Sequence, residues 1–209
     1  MGIRKAAFGV ALLGALAMSG GAAVGQQADP PPFFVPPDMG RGRAELPSQP
    51  PDVPYVPTPQ VVVDAMLELG EVKEGDMLYD LGSGDGRIVV TAAKNLGVRG
   101  VGIDINPERI QEAEANARQA GVENLTEFRE EDLFKADFSE ATVVTMYLLP
   151  SVNNRLKPRL LSELKPGTRI VSHAFDIEGW EPQRVVEVDG RTLYLWVVPE
   201  NPSQARGPR

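Results

Sequence analysis

Cysteine is absent from this chain of 209 residues, and histidine occurs only once, at His173. Without cysteine the protein cannot form disulfides, thiolate zinc sites, iron–sulfur clusters or a cysteine nucleophile. A single histidine also excludes a metal site built from several imidazoles, so no metal centre is predicted. Basic residues are outnumbered as well, since 21 Lys and Arg stand against 29 Asp and Glu for a net charge of −8. Proteins that bind nucleic acid normally present a basic surface, so the charge disfavours nucleic acid and leaves small ligands and basic proteins as partners.

The N-terminal segment has the order of a secretory signal peptide. Arg4 and Lys5 precede an apolar run over residues 6–18, and small residues follow. This is the sequence of basic, apolar and cleavage regions found in exported proteins. Residues 1–25 are therefore predicted to be a signal peptide or an uncleaved membrane anchor, with the domain periplasmic or otherwise extracytoplasmic. If translation starts downstream, at Met39, the protein would instead be cytoplasmic.

Proline separates a linker from a domain. Eleven of the thirty residues from Pro30 to Pro59 are proline, and the stretch has neither helical nor strand periodicity. Because proline fixes φ and removes a backbone donor, residues 26–52 are predicted to be an extended, disordered linker. Residues 53–199 then form one domain, expected to be monomeric, and the polar residues 200–209 form a disordered tail.

Within this domain, short apolar runs alternate with segments of helical periodicity. Strands are predicted at 77–81, 101–104, 125–129, 141–148 and 168–172. Helices are predicted at 59–69 with Thr58 as N-cap, at 87–96, at 106–121 and at 152–164 with a kink or break at Pro158. Strands that alternate with helices indicate right-handed βαβ units and a parallel sheet. Asp189-Gly190, between two apolar runs, predicts a hairpin that ends the sheet with an antiparallel pair.

The first strand leads directly into a glycine-rich turn and a helix. The turn reads Asp80-Leu81-Gly82-Ser83-Gly84-Asp85-Gly86. Ligands of open parallel sheets bind outside the carboxyl ends of the strands, and glycine lets a ligand approach the main chain closely. A glycine-rich turn can also serve only to pack a helix on a strand, but the strand before it and the helix after it favour a binding site.

The residues around this turn argue against a phosphate ligand. A dinucleotide fingerprint would place its third glycine at position 87, which is Arg87, and Asp85 sets a carboxylate at the helix entrance, where it would repel a pyrophosphate. An oxidoreductase that uses a dinucleotide is therefore the least favoured enzyme class. Asp104 ends the second strand and can accept hydrogen bonds from both hydroxyls of a ribose. Since Asn106 can cap the next helix, Asp104 is not needed for that task, and the turn is predicted to hold a nucleoside without phosphates.

The glycine turn, Gly102-Ile103-Asp104 and Glu131-Asp132-Leu133 resemble successive motifs of class I S-adenosylmethionine-dependent methyltransferases. The resemblance covers about residues 53–199. It implies a single Rossmann-like domain whose seven-stranded sheet is mostly parallel, ends in an antiparallel hairpin and carries helices on both faces. It also implies S-adenosylmethionine as cofactor, with the turn holding the methionine part, Asp104 the ribose and Asp132 with its neighbours the adenine.

Two shorter motifs point to a narrower group. Tyr55-Val56-Pro57-Thr58 and Tyr147-Leu148-Leu149-Pro150 resemble small protein-lysine methyltransferases, which include mitochondrial enzymes that act on an ATP synthase subunit and a nucleotide carrier. Similar proline-containing ends of the fourth strand also serve methylation of DNA bases, glutamine and small amines. The cofactor-binding residues implied by these matches are Tyr55, Thr58, Asp80, Gly82, Ser83, Gly84, Gly86, Asp104, Ile105, Asp132 and Leu133.

The acceptor is predicted to be a nitrogen, and a lysine of a protein is the leading candidate. Tyr147, at the end of a central strand, is the candidate catalytic residue, because its hydroxyl could orient an attacking amine; it could equally pack over the adenine. His173 could face the site as a base, although a lone histidine in an apolar run is more often structural. Glu130 and Glu131 are interpreted as a solvated turn, and Tyr194 and Trp196 as core or rim.

Two other functions stay open from the sequence. A small-molecule methyltransferase would use the same scaffold with a different acceptor. A module that binds S-adenosylmethionine without catalysis would keep the glycine turn and Asp104 but show no turnover.

Overall fold

The structure is a computed structural model that describes residues 56–201 and 205. These residues form seven strands and four helices. The helices are α1 (Gln60–Leu69), α2 (Arg87–Leu96), α3 (Pro107–Ala120) and α4 (Pro150–Glu163). The strands are β1 (Met77–Leu81), β2 (Arg99–Asp104), β3 (Thr126–Glu130), β4 (Val143–Met146), β5 (Arg169–His173), β6 (Arg184–Val188) and β7 (Arg191–Val197).

The predicted signal or anchor, the linker and Tyr55 lie outside the described residues, as does most of the tail, and these interpretations stay predictions. Between residues 56 and 201 no helix is long and apolar enough to cross a membrane. The same stretch contains no group of three or more acidic or histidine side chains arranged to hold a metal ion.

All seven strands belong to one sheet in the order β3-β2-β1-β4-β5-β7-β6. The first five strands run parallel, while β7 is antiparallel to β5 and pairs with β6 as a hairpin. The predicted hairpin is confirmed: Asp189 and Gly190 both have positive φ, 51° and 69°, as a tight primed turn requires. The strand order reverses at β1, which has β2 on one side and β4 on the other, so the carboxyl end of β1 is the expected place for a ligand.

Apolar side chains bury both faces of the sheet. On one face α1 and α2 pack on the strands through residues such as Val63, Met66 and Val89, all 0% exposed. On the other face α4 contributes Leu156 and Leu160, which are also fully buried. The prediction of helices on both faces of a mostly parallel sheet is therefore confirmed. Trp196 is buried in this second core and the partly buried Tyr194 packs against it, which agrees with the interpretation of the two as core or rim.

Several local predictions were wrong in detail. The N-cap of α1 is Pro59, and the side chain of Thr58 makes no capping bond because its hydroxyl instead lies 3.2 Å from Nδ1 of His173. The fourth helix starts at Pro150 and runs through Pro158 as one element, so the proline does not split it. The strand expected at 141–148 is only Val143–Met146.

Candidate active site

A cleft of about 720 Å³ opens at the carboxyl ends of β1, β2 and β4. It brings together nearly all of the site residues expected from the sequence. Those that line it are Thr58, Asp80, Gly82, Ser83, Gly84, Asp104, Ile105, Asp132, Leu133 and Tyr147. Gly86 was also expected here but does not line the cleft, and Tyr55 falls outside the described residues.

The amides of the glycine turn are used within the protein. Gly82 and Ser83 donate to the carbonyl of Ile103 at 2.8 and 3.0 Å, and Gly86 donates to the carbonyl of Ser83 at 2.9 Å. Gly84 donates to Oδ2 of Asp104 at 2.9 Å. A phosphate site needs several amides that point at the ligand, so this turn is unsuited to a pyrophosphate. The geometry thus gives a reason for the expectation of a ligand without phosphates that does not depend on the charge of Asp85, which is paired with Arg87.

Asp104 joins the two loops at the floor of the cleft. Besides the Gly84 amide, its carboxylate accepts the Asn106 amide on Oδ1 at 2.9 Å. An ionised carboxylate has about four acceptor positions, so two remain for a ligand in this half-buried place. Asn106 caps α3 by accepting the amide of Glu108, as predicted, so Asp104 does not serve as the cap.

Asp80 is an acid that the fold has removed from water. Its side chain is buried at the end of β1, where the Thr145 hydroxyl donates to Oδ1 at 2.8 Å. Burial, opposed by that hydrogen bond and assisted by the nearby carboxylates of Asp104 and Asp85, raises the pKa of Asp80 to about 7. A positively charged ligand group stabilises the ionised form of such a carboxylate, because the charge replaces the favourable interactions with water that burial removed.

Asp85 does not present a bare negative charge to the cleft. Arg87 forms a bidentate ion pair with this carboxylate. Its Nη2 lies 2.5 Å from Oδ2 and its Nε lies 2.9 Å from Oδ1. The same guanidinium donates through Nη1 to the carbonyl of Thr58 at 2.9 Å. Arg87 thereby fastens residues 56–59, hereafter the cover segment, whose first three residues line the cleft. The sequence marked Arg87 only as the residue that breaks a dinucleotide fingerprint, and nothing local indicated this bond across 29 positions.

The glycines of the turn are required for packing as much as for binding. Gly82 has φ +80°, and a Cβ there would come within 2.7 Å of Leu148. Gly86 has φ +75°, and a Cβ would meet Phe128 at 2.6 Å and Ala113 at 2.7 Å. The absence of a side chain at Gly86 therefore lets Phe128 of β3 and Ala113 of α3 pack against its Cα. This packing explains why Gly86 does not line the cleft.

Another wall of the cleft is formed by the segment after β3. Asp132 accepts the amide of Phe134 on Oδ1 at 2.9 Å and pairs with Lys135 at 3.2 Å. The Phe134 amide bond, helped by Lys135, lowers the pKa of Asp132 below its usual value, so the acid is ionised. Arg155 of α4 lies over the Phe134 ring, 3.6 Å from its centroid, and also lines the cleft. Phe134 and Arg155 were not among the predicted site residues, although Phe134 directly follows Leu133 and could have been found by extending that motif.

Tyr147 lies at the carboxyl end of β4 and forms part of the cleft wall. Its ring packs against His173, with centroids 3.9 Å apart, and lies parallel to Phe175 at 6.2 Å. His173 itself is 1% exposed and does not line the cleft. Burial lowers the pKa of His173 to about 4, so the ring is neutral at physiological pH. The suggestion that His173 faces the site as a base was wrong, because Tyr147 stands beside it and contributes the side chain to the cleft wall.

Residues 80–184 match the model of the ANTKMT methyltransferase domain. The chain is 53% identical over 156 residues to a protein-lysine N-methyltransferase of Saccharolobus islandicus, which corresponds to 72% of this chain and 97% of that protein. It is 38% identical over 135 residues to the adenine nucleotide translocase lysine N-methyltransferase of Mus musculus, covering 64% of this chain and 58% of the mouse protein.

Among solved structures, the chain resembles an RNA methyltransferase from Salinibacter ruber in complex with S-adenosyl-L-homocysteine. The TM-score is 0.69, with 60% sequence identity over 70% of this chain and 95% of that one.

Proposed function

The chain belongs to the family of the ANTKMT methyltransferase domain and is an S-adenosylmethionine-dependent methyltransferase; on that premise we propose that its acceptor is the side-chain amine of a lysine in a protein. The observation that carries the proposal is the 53% identity to an archaeal protein-lysine N-methyltransferase over 97% of that protein's length. The cleft supports it, because an apolar entrance around Tyr147 suits a long aliphatic side chain that ends in an amine.

The donor set of the cleft fits S-adenosylmethionine. Asp80, buried and with a raised pKa, suits the ammonium group of the methionine part. Ser83 supplies a buried hydroxyl that bonds to nothing else among the described residues. Asp104 keeps acceptor positions for the ribose hydroxyls. Asp132 and Leu133 would line the part of the cleft that holds the adenine.

The protein has three tasks in the reaction, which are alignment, exclusion of water and release of a proton from the amine. Bound S-adenosylmethionine supplies a methyl group that its sulfonium already activates. A lysine ammonium must lose its proton to solvent before its nitrogen can attack, and its reference pKa is about 10.4. Val56, Leu148 and Val152 give the cleft apolar walls that desolvate an entering ammonium and lower its pKa. The Tyr147 hydroxyl then orients the neutral amine, and alignment of this kind can supply several kcal/mol of catalysis.

RNA is the competing acceptor, because the Salinibacter relative is named an RNA methyltransferase. The electrostatics of this chain favour protein. Its net charge is −8, and cations at the cleft have internal partners: Arg87 pairs with Asp85, Lys135 with Asp132 and Arg109 with Glu112. An RNA-binding surface would need cations directed at phosphates.

The test is transfer of label from tritiated S-adenosylmethionine to a heat-treated cell extract. We expect the label in protein, and acid hydrolysis should recover it as methylated lysine. Treatment with ribonuclease or protease before counting separates the two macromolecular acceptors, and filtration separates small molecules. Label released by ribonuclease would overturn the proposed acceptor in favour of RNA, and label in the filtrate would favour the small-molecule alternative. Tight cofactor binding with no transfer would indicate the non-catalytic module.

Export or anchoring by residues 1–25 and the monomeric state remain separate predictions.

A further inference from the structure

His173 is the only histidine of the sequence, and the reaction outlined above does not use it. It ends β5, directly beside the end of β4 that carries Tyr147. The ring is in contact with two parts of the cleft wall at once. One face packs on Tyr147 with centroids 3.9 Å apart, and Nδ1 lies 3.2 Å from the hydroxyl of Thr58 in the cover segment.

Through these two contacts His173 connects the part of the cleft wall after β4 with the cover segment, which does not belong to the sheet. Tyr147 follows β4, whereas Thr58 precedes α1, and 89 positions of sequence separate them. The cover segment is fastened twice, through the carbonyl of Thr58 by Arg87 and through its hydroxyl by His173. Only the second bond reaches the element that supports Tyr147.

We propose that His173 is a positioning residue for methyl transfer, whose imidazole supports the Tyr147 ring with one face and fastens the cover segment through Thr58. The acceptor side and the cofactor side of the cleft are then set by the same buried side chain. The inference deepens the proposed function and rests on it only in that Tyr147 orients the acceptor amine.

The backbone on the C-terminal side of His173 forms a turn that restricts where the imidazole can lie. Ala174, the next residue, has φ +66°, a left-handed conformation that residues other than glycine adopt rarely. Its amide donates to the carbonyl of Thr192, and the Ser172 hydroxyl donates to the carbonyl of Phe175 at 2.6 Å. Bonds on both sides therefore fix the turn that sets the imidazole.

The chemistry of the ring supports a positioning role over a catalytic one. The ring is buried behind residues that line the cleft, and its low pKa keeps it neutral. Nε2 is buried and meets no hydrogen-bonding partner among the described residues. Nδ1 is the nitrogen that bonds to protein, and the Thr58 hydroxyl can either donate to it or accept from it, so the contact fixes the ring orientation and the experiment reads the tautomer.

The first experiment observes the ring itself, without any acceptor. Because the chain has one histidine, nitrogen-15 labelling of histidine in the full chain, purified without a histidine tag, gives the signals of a single imidazole. At pH 7.5 we expect one neutral tautomer in the wild type and an averaged or altered pair of nitrogen shifts in Thr58→Val. Thr58→Ser, which restores the hydroxyl, should return the wild-type pattern.

The second experiment separates turnover from binding. Thr58→Val should lower kcat for tritium transfer to the extract acceptor about tenfold. Because Thr58 itself lines the cleft, binding is compared on His173→Phe, whose Kd for S-adenosylhomocysteine should stay within about threefold of the wild type since Arg87 still holds the segment. His173→Phe keeps the stacking and loses the hydrogen bond, so it should match Thr58→Val, and the double variant should be no slower than either. Thr58→Ser should recover most of the turnover.

A matched control is Thr168→Val, at the residue directly before β5. Its hydroxyl is equally buried and donates to the carbonyl of Ala141, far from the cleft. It should lower the melting temperature yet leave both the imidazole signals and kcat at wild-type values.

Unchanged imidazole signals in Thr58→Val, multiplicative effects in the double variant, or no recovery in Thr58→Ser would each overturn the inference. If the wild type labels RNA or a small molecule, the proposed acceptor fails. The same variant comparison then runs on the labelled fraction and still decides the role of His173.

Discussion

Replacement of Asp80 by asparagine should stabilise the cofactor-free protein and weaken its cofactor binding. A pKa raised from 3.8 to about 7 corresponds, at about 1.4 kcal/mol for each pKa unit, to about 4 kcal/mol of lost stability at neutral pH. Asparagine keeps an oxygen that can accept the Thr145 hydroxyl and carries no charge to desolvate. Since its new amide group will be incompletely paired, we expect about half of this amount, or about 2 kcal/mol.

The pH dependence has a definite sign. The folded state holds the Asp80 proton more tightly than the unfolded state, so the stability of the wild type is greatest below pH 3.8 with respect to this group. It falls as the pH rises toward 7 and then levels off. The difference between Asp80→Asn and the wild type should therefore be small near pH 4 and reach its maximum above pH 7.

Thermal and urea unfolding of cofactor-free protein between pH 4.5 and 8 measures this difference. A gain of about 2 kcal/mol should raise the melting temperature by about 4–8 °C at pH 7.5 for a domain of this size. Asp76→Asn is the matched control at the opposite end of β1. Burial there is outweighed by hydrogen bonds from Thr142 and the Lys73 amide and by Arg169, so the pKa of Asp76 is lowered. That substitution should destabilise the protein.

Calorimetry completes the test, because the carboxylate of Asp80 is proposed to meet the ammonium group of the cofactor. Asp80→Asn should weaken binding at least tenfold, and the wild type should bind about tenfold more tightly at pH 8 than at pH 6. An unchanged or lower melting temperature for Asp80→Asn at pH 7.5, with a flat difference across the pH series, would refute the reasoning that Asp80 is a desolvated acid.

Three further substitutions test other parts of the cleft. Asp104→Ala should weaken S-adenosylmethionine binding at least tenfold, as measured by calorimetry, because hydrogen bonds to a charged group contribute about 1.5–3 kcal/mol each. Circular dichroism should show that the fold is retained, and an unchanged affinity would remove Asp104 from the ribose site. Tyr147→Phe should lower kcat about tenfold with cofactor affinity within about twofold, whereas equal losses in both would make Tyr147 part of the adenosine pocket. Gly82→Ala should reduce cofactor affinity and lower the melting temperature, because its φ is +80° and its Cβ would lie 2.7 Å from Leu148; wild-type values for both would contradict the packing argument.

Local sequence patterns were sufficient for the elements and for most of the candidate site. The short apolar run at β1, the glycine turn and α2 are adjacent in the chain, so their geometry follows from neighbouring residues. The Asp-Gly hairpin and the Asn106 cap are equally local, because each depends on backbone preferences within about four positions. Parallel strands end at the same edge of a sheet, and this placed Asp80, Asp104 and Tyr147 around one cleft.

Contacts between residues distant in sequence could not be derived in this way. Thr58 has the pattern of an N-cap, but the tertiary fold brings His173 within reach of its hydroxyl, and the cap is lost. Gly86 fits the binding motif, yet Phe128 and Ala113 occupy the space beside its Cα.

The sequence by itself determined the fold class, the glycine turn that excludes a phosphate and the acids at the strand ends, since each of these follows from local periodicity or composition. Only the tertiary structure decided the strand order, the bond from Arg87 that fastens the cover segment, the desolvation of Asp80 and the burial of His173 behind Tyr147. The physical reason is that burial and charge pairing depend on which distant residues meet, and no periodicity within a single segment records that.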